Sequence, residues 1–276
     1  MTRHRRRPRI WLFALSWNES RVLPFFFRHY DSWVEQYVIY DDGSTDDTLD
    51  QLRRHPRVEI RRFERSDPDS FVESSRIWQN KVWKQARGHA DWIVLTAIDE
   101  HLFHADMTGY LADCRRDGVS AIPALGFNMV VEAFPPPGTW LAGTCHRGMP
   151  HYEMNKLSLF DPDRIAETDF SAGRHFARPS GDVVYPLVDE VLNLHYKYLG
   201  RDYVLARHAL LRTGLGTQDV AAGLGRQYGW THDELRAAWD NMTRQAIDCR
   251  DPGVGFTTHV QRWWRGPRLQ GRLPTR

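Results

Sequence analysis

Val38-Ile39-Tyr40-Asp41-Asp42-Gly43-Ser44-Thr45-Asp46-Asp47 is an apolar run, rich in β-branched and aromatic residues, that stops at two carboxylates, a glycine and a row of capping residues. The pattern predicts a buried strand ending in a tight turn into a helix. In an open α/β sheet ligands bind outside the carboxyl ends of the strands, which is where Asp41 and Asp42 fall. Ser44 or Thr45 is placed to cap the helix, with Asp46 and Asp47 in its first turn near the positive end of the helix dipole. A capped turn with solvated acids is the plainer alternative.

Upstream, Ile10-Trp11-Leu12-Phe13-Ala14-Leu15 is a continuous apolar run and predicts a first buried strand, ending at Trp17-Asn18-Glu19. Helical spacing of Leu23, Phe26, Phe27 and Tyr30 predicts a helix over residues 20–35. Downstream come a helix over 45–54, a strand over 58–63 and a helix over 70–87 closed by Gly88. Trp92 to Ile98 is a second apolar run, and it too ends in acids, Asp99-Glu100. A helix over 105–116, strands over 119–125, 156–160 and 191–196, and three helical stretches from 201 to 248 complete the chain. The alternation implies an α/β fold with a mixed, mostly parallel sheet flanked by helices and a C-terminal helical subdomain. Residues 134–149, with Pro135-Pro136-Pro137-Gly138, read as a long loop and a candidate lid. The expected divisions are a basic tail (1–9), the α/β domain (10–200), the helical subdomain (201–259) and a second basic tail (260–276).

The 276 residues are 41% hydrophobic and 26% charged, which suits a globular protein and excludes collagen, coiled coil and disorder. Each tail carries five arginines and no acid, so removing these ten positive charges from the net +2 leaves the body at −8. An acidic body argues against a nucleic-acid partner. Arginines beside Trp263 and Trp264 suggest peripheral contact with an anionic membrane; solvated ends are the alternative. Three cysteines without close spacing suggest neither a disulfide framework nor a cysteine metal site, and fit a reducing cytoplasm. No apolar stretch reaches the roughly 18 residues of a membrane span. Oligomeric state is not legible.

Four segments in order carry a family likeness: Trp17-Asn18-Glu19 with Leu23-Pro24-Phe25-Phe26 and Trp33; Asp41-Asp42-Gly43-Ser44-Thr45-Asp46; Trp92 to Leu102; and Lys156 through Arg174-His175 to His195-Tyr196-Lys197. Together they resemble the nucleotide-sugar-dependent glycosyltransferases of the GT-A fold, family 2 and its bacterial relatives, over about residues 10–200. The resemblance implies transfer of a sugar from a nucleoside diphosphate sugar, with a UDP-sugar favoured, to an acceptor hydroxyl, with inversion. By the same resemblance Asp41 would accept a hydrogen bond from the nucleobase, with Leu15, Trp17 and Ile98 beside it. Asn18 and Glu19 would frame the ribose, while Arg76 and Gln79 would face the nucleotide. Asp99 and His195 would bind Mn²⁺ or Mg²⁺, since hard cations with few protein ligands and several phosphate oxygens suit one carboxylate and one imidazole. The base would be a carboxylate of the second half, Glu153 before Asp189, with His175 orienting acceptor or diphosphate. Lys156 or Lys197 could offset leaving-group charge.

The sequence departs from the family pattern at Ala97, where the first aspartate of an aspartate-x-aspartate motif would stand, and at His101, where an aromatic residue is usual. His101 either replaces a ligand or covers the crevice mouth. Ala97 supports a second class of function, a nucleotide-binding protein without turnover. A nucleotidyltransferase is a third, but it would carry a glycine-rich phosphate loop after its first strand, and Trp17-Asn18-Glu19-Ser20 is not one.

Overall fold

A computed structural model describes residues 7–251 and 262–265. Its first half alternates strand and helix: β1 (Ile10–Ser16), α1 (Leu23–Tyr30), β2 (Gln36–Asp41), α2 (Thr48–Arg54), β3 (Val58–Arg62), α3 (Phe71–Gln79) and β4 (Trp92–Leu95). β5 (Glu100–Phe103), α4 (Met107–Arg116), β6 (Ala121–Val131), α5 (Leu141–Thr144), β7 (Arg147–Pro150) and β8 (Lys156–Phe160) follow. A small hairpin, β9 (Ile165–Glu167) with β10 (Ser180–Gly181), leads to β11 (Leu192–Leu199), then α6 (Arg201–Gly214), α7 (Thr217–Ala221), α8 (His232–Gln245) and β12 (Ile247–Asp248). The fold is the mixed α/β sheet with flanking helices that the sequence implies.

Strands β3-β2-β1-β4 are parallel, and the sheet continues through β8, β6, β7 and β12 antiparallel. β11 runs parallel to β6 and antiparallel to β5. The apolar runs of β1, β2 and β4 are continuous because both faces are covered. Ile10, Leu12, Ala14, Tyr37, Ile39, Trp92 and Val94 enter one core, and Phe13, Val38, Ile93 and Leu95 enter the other. Alternate side chains of one strand thus supply two cores.

Several elements differ from their expected extents. The helix expected over 20–35 is only Leu23–Tyr30, and the Asp31 and Val34 carbonyls beyond it are taken by the Arg57 guanidinium. The helix expected over 70–87 stops at Gln79, and a 3-10 turn follows at Val82–Ala86. The break falls at Asn80, whose amide donates to Arg76 O (2.9 Å) and Phe170 O (3.2 Å) and accepts from Phe170 N (2.8 Å). The presumed loop 134–149 contains α5 and most of β7. Among the described residues no helix is long and apolar enough to cross a membrane.

Where the C-terminal tail is described, its two tryptophans make contacts within the protein. Trp264 is buried, its indole N–H donates to Asp189 Oδ1 (2.9 Å), and Trp263 donates to Asn155 O (2.9 Å). Both indole N–H groups are therefore bonded within the protein. The remaining tail arginines, Arg3, Arg5, Arg6, Arg268, Arg272 and Arg276, lie outside the described residues.

Candidate active site

Strand order 3-2-1-4 places a change of winding direction between β1 and β4, where the connections leave a crevice at the carboxyl ends. A cavity of about 340 Å³ occupies that place. Leu15 and Ser16 of β1, Trp17 and Glu19 after it, Asp42 after β2, and Leu95, Thr96, Ala97 and Ile98 at the end of β4 line one side. Phe71, Ser75, Trp78 and Gln79 of α3 line the second, and Arg207, Leu211 and Tyr228 of the C-terminal helices close the third.

The turns after β1 and β2 are built from their own side chains. Asp41 accepts from the backbone N–H groups of Gly43 and Ser44 (both 2.9 Å) and from the Ser44 hydroxyl (2.5 Å). Gly43, at φ 78°, allows the chain to reverse there. Asn18, itself at φ 53°, accepts from Thr45 N (2.7 Å), while its own N–H donates to Ser44 Oγ (2.9 Å). The two turns are thereby zipped, and Asp42 is turned to the cavity, where it pairs with Arg65 through Oδ2–Nη2 (2.7 Å) and Oδ1–Nε (3.3 Å). An acceptor and a donor lie side by side at this end.

Arg207 spans the top of the turn, donating to Trp17 O (3.1 Å), Asn18 O (2.9 Å) and the Glu19 carboxylate. Burial pushes the Glu19 carboxyl up to about 8, although Arg207 pulls it down. A side chain at Gly214 would press on the Trp17 ring, since its Cβ would lie 2.8 Å from Cζ3, so glycine permits α6 to end against that indole.

On the β8 side of the cavity three charges share one buried site. Glu100 Oε1 receives Lys156 Nζ (2.6 Å), and Oε2 receives Arg174 Nη2 (2.8 Å). Arg174 also donates to Ser158 Oγ (3.0 Å) and the Leu95 carbonyl. All three side chains are nearly inaccessible. Burial would raise the Glu100 carboxyl, but Lys156 and Arg174 reverse this and hold it far below its usual range; burial lowers the Lys156 ammonium. Two cations on one carboxylate leave a net positive charge in the cavity wall.

Asp99 lies between the cavity residues Ile98 and Glu100, with Oδ2 3.3 Å from His195 Nε2. Burial would raise Asp99, and His195 more than reverses that, keeping the carboxyl below its ordinary value. The other His195 nitrogen, Nδ1, is 2.9 Å from Asn128 Oδ1. Nδ1 therefore donates, and the Nε2 lone pair points at a carboxylate, an arrangement that calls for a proton or a cation between them. Two ligands at right angles about 2.1–2.2 Å from a cation stand about 3 Å apart, so the pair fits one hard divalent ion. No third His, Cys, Asp or Glu joins them among the described residues, so its other ligands would come from substrate or water. Lys197, two residues beyond His195, is pushed down to about 8 by burial, against the pull of Asp99, and its ammonium lies 4.9 Å from the Tyr228 ring centre.

The cavity thus brings together Leu15, Trp17, Glu19, Gln79, Ile98 and, at its edge, the Asp99–His195 pair. Other expected site residues are placed elsewhere. Asp41 is consumed by its turn, and Asn18 by the Thr45 backbone. Arg76 pairs with Glu73 on the α3 surface (2.6 Å) rather than facing the cavity. Asp189 is buried and saturated by Trp264, Arg265 and Arg262, which removes it as a base. Glu153 and His175 do not line the cavity, but they join its two cation-bearing segments: His175 Nδ1 contacts Glu153 O at 2.6 Å, three residues before Lys156 and one after Arg174. His101 faces the core, stacked on His29 with ring centres 4.6 Å apart, so it neither replaces a ligand nor covers the mouth. The presumed lid over 134–149 contributes nothing to the cavity lining.

No protein-family model and no curated protein matches the sequence. Among solved structures the chain is similar to residues 1–349 of S. aureus TarS, at 11% identity and a TM-score of 0.34 over 56% of this chain and 47% of that one. The same TarS fragment in complex with UDP-GlcNAc is similar at 9% identity and a TM-score of 0.40, over 74% of this chain and 66% of that one. GalNAc-T7 with UDP, GalNAc and Mn²⁺ is similar at 12% identity and a TM-score of 0.33, over 45% and 24%. The chain spans about half the length of the first structure it matches. Likenesses at this level assign no function, which rests on the site itself.

Sequence reasoning placed Asp42 at the crevice beside Asp41 but gave it no role, and it missed Arg65, Trp78 and Arg207 as wall residues. Asp42 adjoins Asp41, and strand alternation leaves open which of two neighbouring acids is spent on the turn. Arg65 and Arg207 carried no motif at all.

Proposed function

We propose that this chain is a nucleotide-sugar-dependent glycosyltransferase of the GT-A type, moving a sugar from a UDP-sugar to an acceptor hydroxyl with inversion. The observation that carries the reading is the cavity at the β1/β4 crevice, with the Asp42–Arg65 acceptor–donor pair at one end and the net positive Glu100–Lys156–Arg174 cluster at the other. A uracil imide offers the complement of Asp42 and Arg65, an N–H beside a carbonyl. Leu15, Trp17 and Trp78 supply apolar surface for the base and ribose. The diphosphate then lies toward Lys156 and Arg174, whose positions are set before any ligand arrives.

Asp99 and His195 would hold Mn²⁺ or Mg²⁺, which when bound would offset the charge that builds on the departing diphosphate. Lys156 and Arg174 act on the same charge from the wall. For inversion the acceptor oxygen attacks the anomeric carbon as the bond to the diphosphate oxygen breaks, and the hydroxyl proton passes to a base. We assign that role to Glu153, which lies outside the cavity lining: its carboxylate is exposed, and its close ionic neighbour among the described residues is His151, at 3.5 Å. Calorimetric titration with UDP and Mn²⁺ tests the reading. Binding that weakens when Mn²⁺ is withdrawn supports it, and failure of UDP, GDP and dTDP alike to bind with metal present overturns it.

Ala97 favours a second reading, a protein that binds the nucleotide without turning it over, because it lines the cavity at the position where the motif would place a carboxylate. Release of free sugar from UDP-sugar in the absence of acceptor separates the two.

A further inference from the structure

The C-terminal stretch Arg262-Trp263-Trp264-Arg265 lies far along the chain from every cavity residue, yet it is bonded to the segments that deliver the buried cations. Its anchor is Asp189, almost fully buried, which receives the Trp264 indole N–H at 2.9 Å, Arg265 Nη2 at 2.5 Å and Nε at 3.3 Å, with Arg262 Nη1 at 3.5 Å. Arg265 Nη2 also donates to Pro186 O at 2.7 Å. A buried carboxylate so fully engaged is a strong tether, because freeing it would leave uncompensated charge in the interior.

From that anchor Trp263 reaches two places at once. Its indole N–H donates to Asn155 O at 2.9 Å, and its ring stands 5.5 Å from that of Phe176. Asn155 is wholly buried, its side chain accepts from Gly126 N at 2.8 Å, and the next residue is Lys156. Phe176 follows Arg174 by two residues. Arg174 has φ 57° directly after Gly173 at φ 66°, and a non-glycine residue in the left-handed region persists only where its surroundings hold it.

We infer that residues 262–265 are a clasp in which Trp263, anchored through Asp189, is a positioning residue for the Lys156 and Arg174 side chains on Glu100. Trp263 makes its hydrogen bond to Asn155 and its ring contact with Phe176, chain neighbours of the two cations, rather than with the cations. It acts on Lys156 through the Asn155 carbonyl and on Arg174 through the Phe176 ring, so its two contacts are separable by mutation.

Hydrogen–deuterium exchange on the full-length chain reads this without any ligand. Trp263→Phe keeps a ring against Phe176 and loses the N–H, so exchange at residues 154–157 should rise roughly five- to tenfold, the effect of one lost hydrogen bond, with residues 172–177 unchanged. Trp263→Ala should raise both segments, and β1, β2 and β3 should keep wild-type protection in both variants. Unchanged exchange at 154–157 in Trp263→Phe, or an equal rise throughout the sheet in either variant, overturns the clasp. Titration with UDP and Mn²⁺ on the same samples adds that both variants bind more weakly than wild type. The clasp bears on the proposed function only in that second measurement: a wild-type chain that binds no nucleotide refutes the glycosyltransferase reading and leaves the exchange test standing.

Discussion

Two parallel strands lead into a pair of acids, Asp41-Asp42 at the end of β2 and Asp99-Glu100 where the turn after β4 enters β5, and the two pairs are neutralised differently. In the first pair the inner carboxylate is closed by backbone N–H groups two and three residues ahead. In the second, Glu100 is held by Lys156 and Arg174 and Asp99 faces His195, partners 56, 74 and 96 residues away. Similar sequence thus yields a self-contained turn in one case and, in the other, a charge cluster that exists only when distant strands have assembled. The first pair is a local structure with one acid left over for the cavity, and the second depends on the whole second half of the chain.

The sharpest way to break the comparison is Glu100→Gln. It strands two buried cations and should cost about 3–5 kcal/mol in urea unfolding. The same variant carries a pH signature. Glu100 is held below the unfolded value of 4.5, so the fold binds fewer protons there than the unfolded chain. Its contribution is present above about pH 4.5 and is lost as pH falls through the lowered folded value. The stability gap between wild type and Glu100→Gln should therefore narrow as acid is added below pH 4.5, and a gap that widens would mean that Glu100 is not the paired group.

Asp99→Ala should cost far less stability, within about 1 kcal/mol, and remove the dependence of UDP binding on Mn²⁺, about a hundredfold at saturating metal. Calorimetry that still shows full metal dependence would move the cation elsewhere. Asp42→Ala should weaken UDP about ten- to a hundredfold through the lost imide contact, with metal dependence intact. The smallest effect belongs to Asp41→Ala, which opens one turn at about 1–2 kcal/mol. That variant should move the unfolding midpoint and leave nucleotide affinity nearly unchanged; an affinity loss larger than that of Asp42→Ala would reverse the roles of the two acids.

Background acid sensitivity will come from the core. Burial lowers His29 from 6.5 to about 4, and His101, stacked on it, is lowered as well. Both are neutral in the fold, so stability drains as pH falls from 6.5 toward 4, in the wild type and the acid-pair variants alike.

Particular residues show what was legible. Strands β1, β2 and β4 were readable because their apolar runs are unbroken, which happens only when both faces are buried. The turn around Asp41 was readable because glycine and short polar side chains close it within a few residues. Helix ends were misread wherever a distant group intervened: Arg57 at the end of α1, and Asn80, reaching Phe170, at the end of α3. Asp189 was misread for the same cause. It was named after Glu153 because the family resemblance implies a carboxylate base in the second half, and only the packed Trp264 and Arg265 reveal an anchor.

The amino-acid order alone settled the α/β alternation, the acid-tipped end of β2 and the closed turn at Gly43, whereas β4 stops at Leu95, short of the acids expected at its tip; periodicity and short-range hydrogen bonds do not depend on the rest of the chain. Tertiary structure decided which acid of each pair meets the cavity, that Lys156 and Arg174 converge on Glu100, and that residues 262–265 turn inward. Those outcomes are charge neutralisations between groups far apart in sequence, and a buried charge takes whichever partner the fold brings within about 3 Å of it.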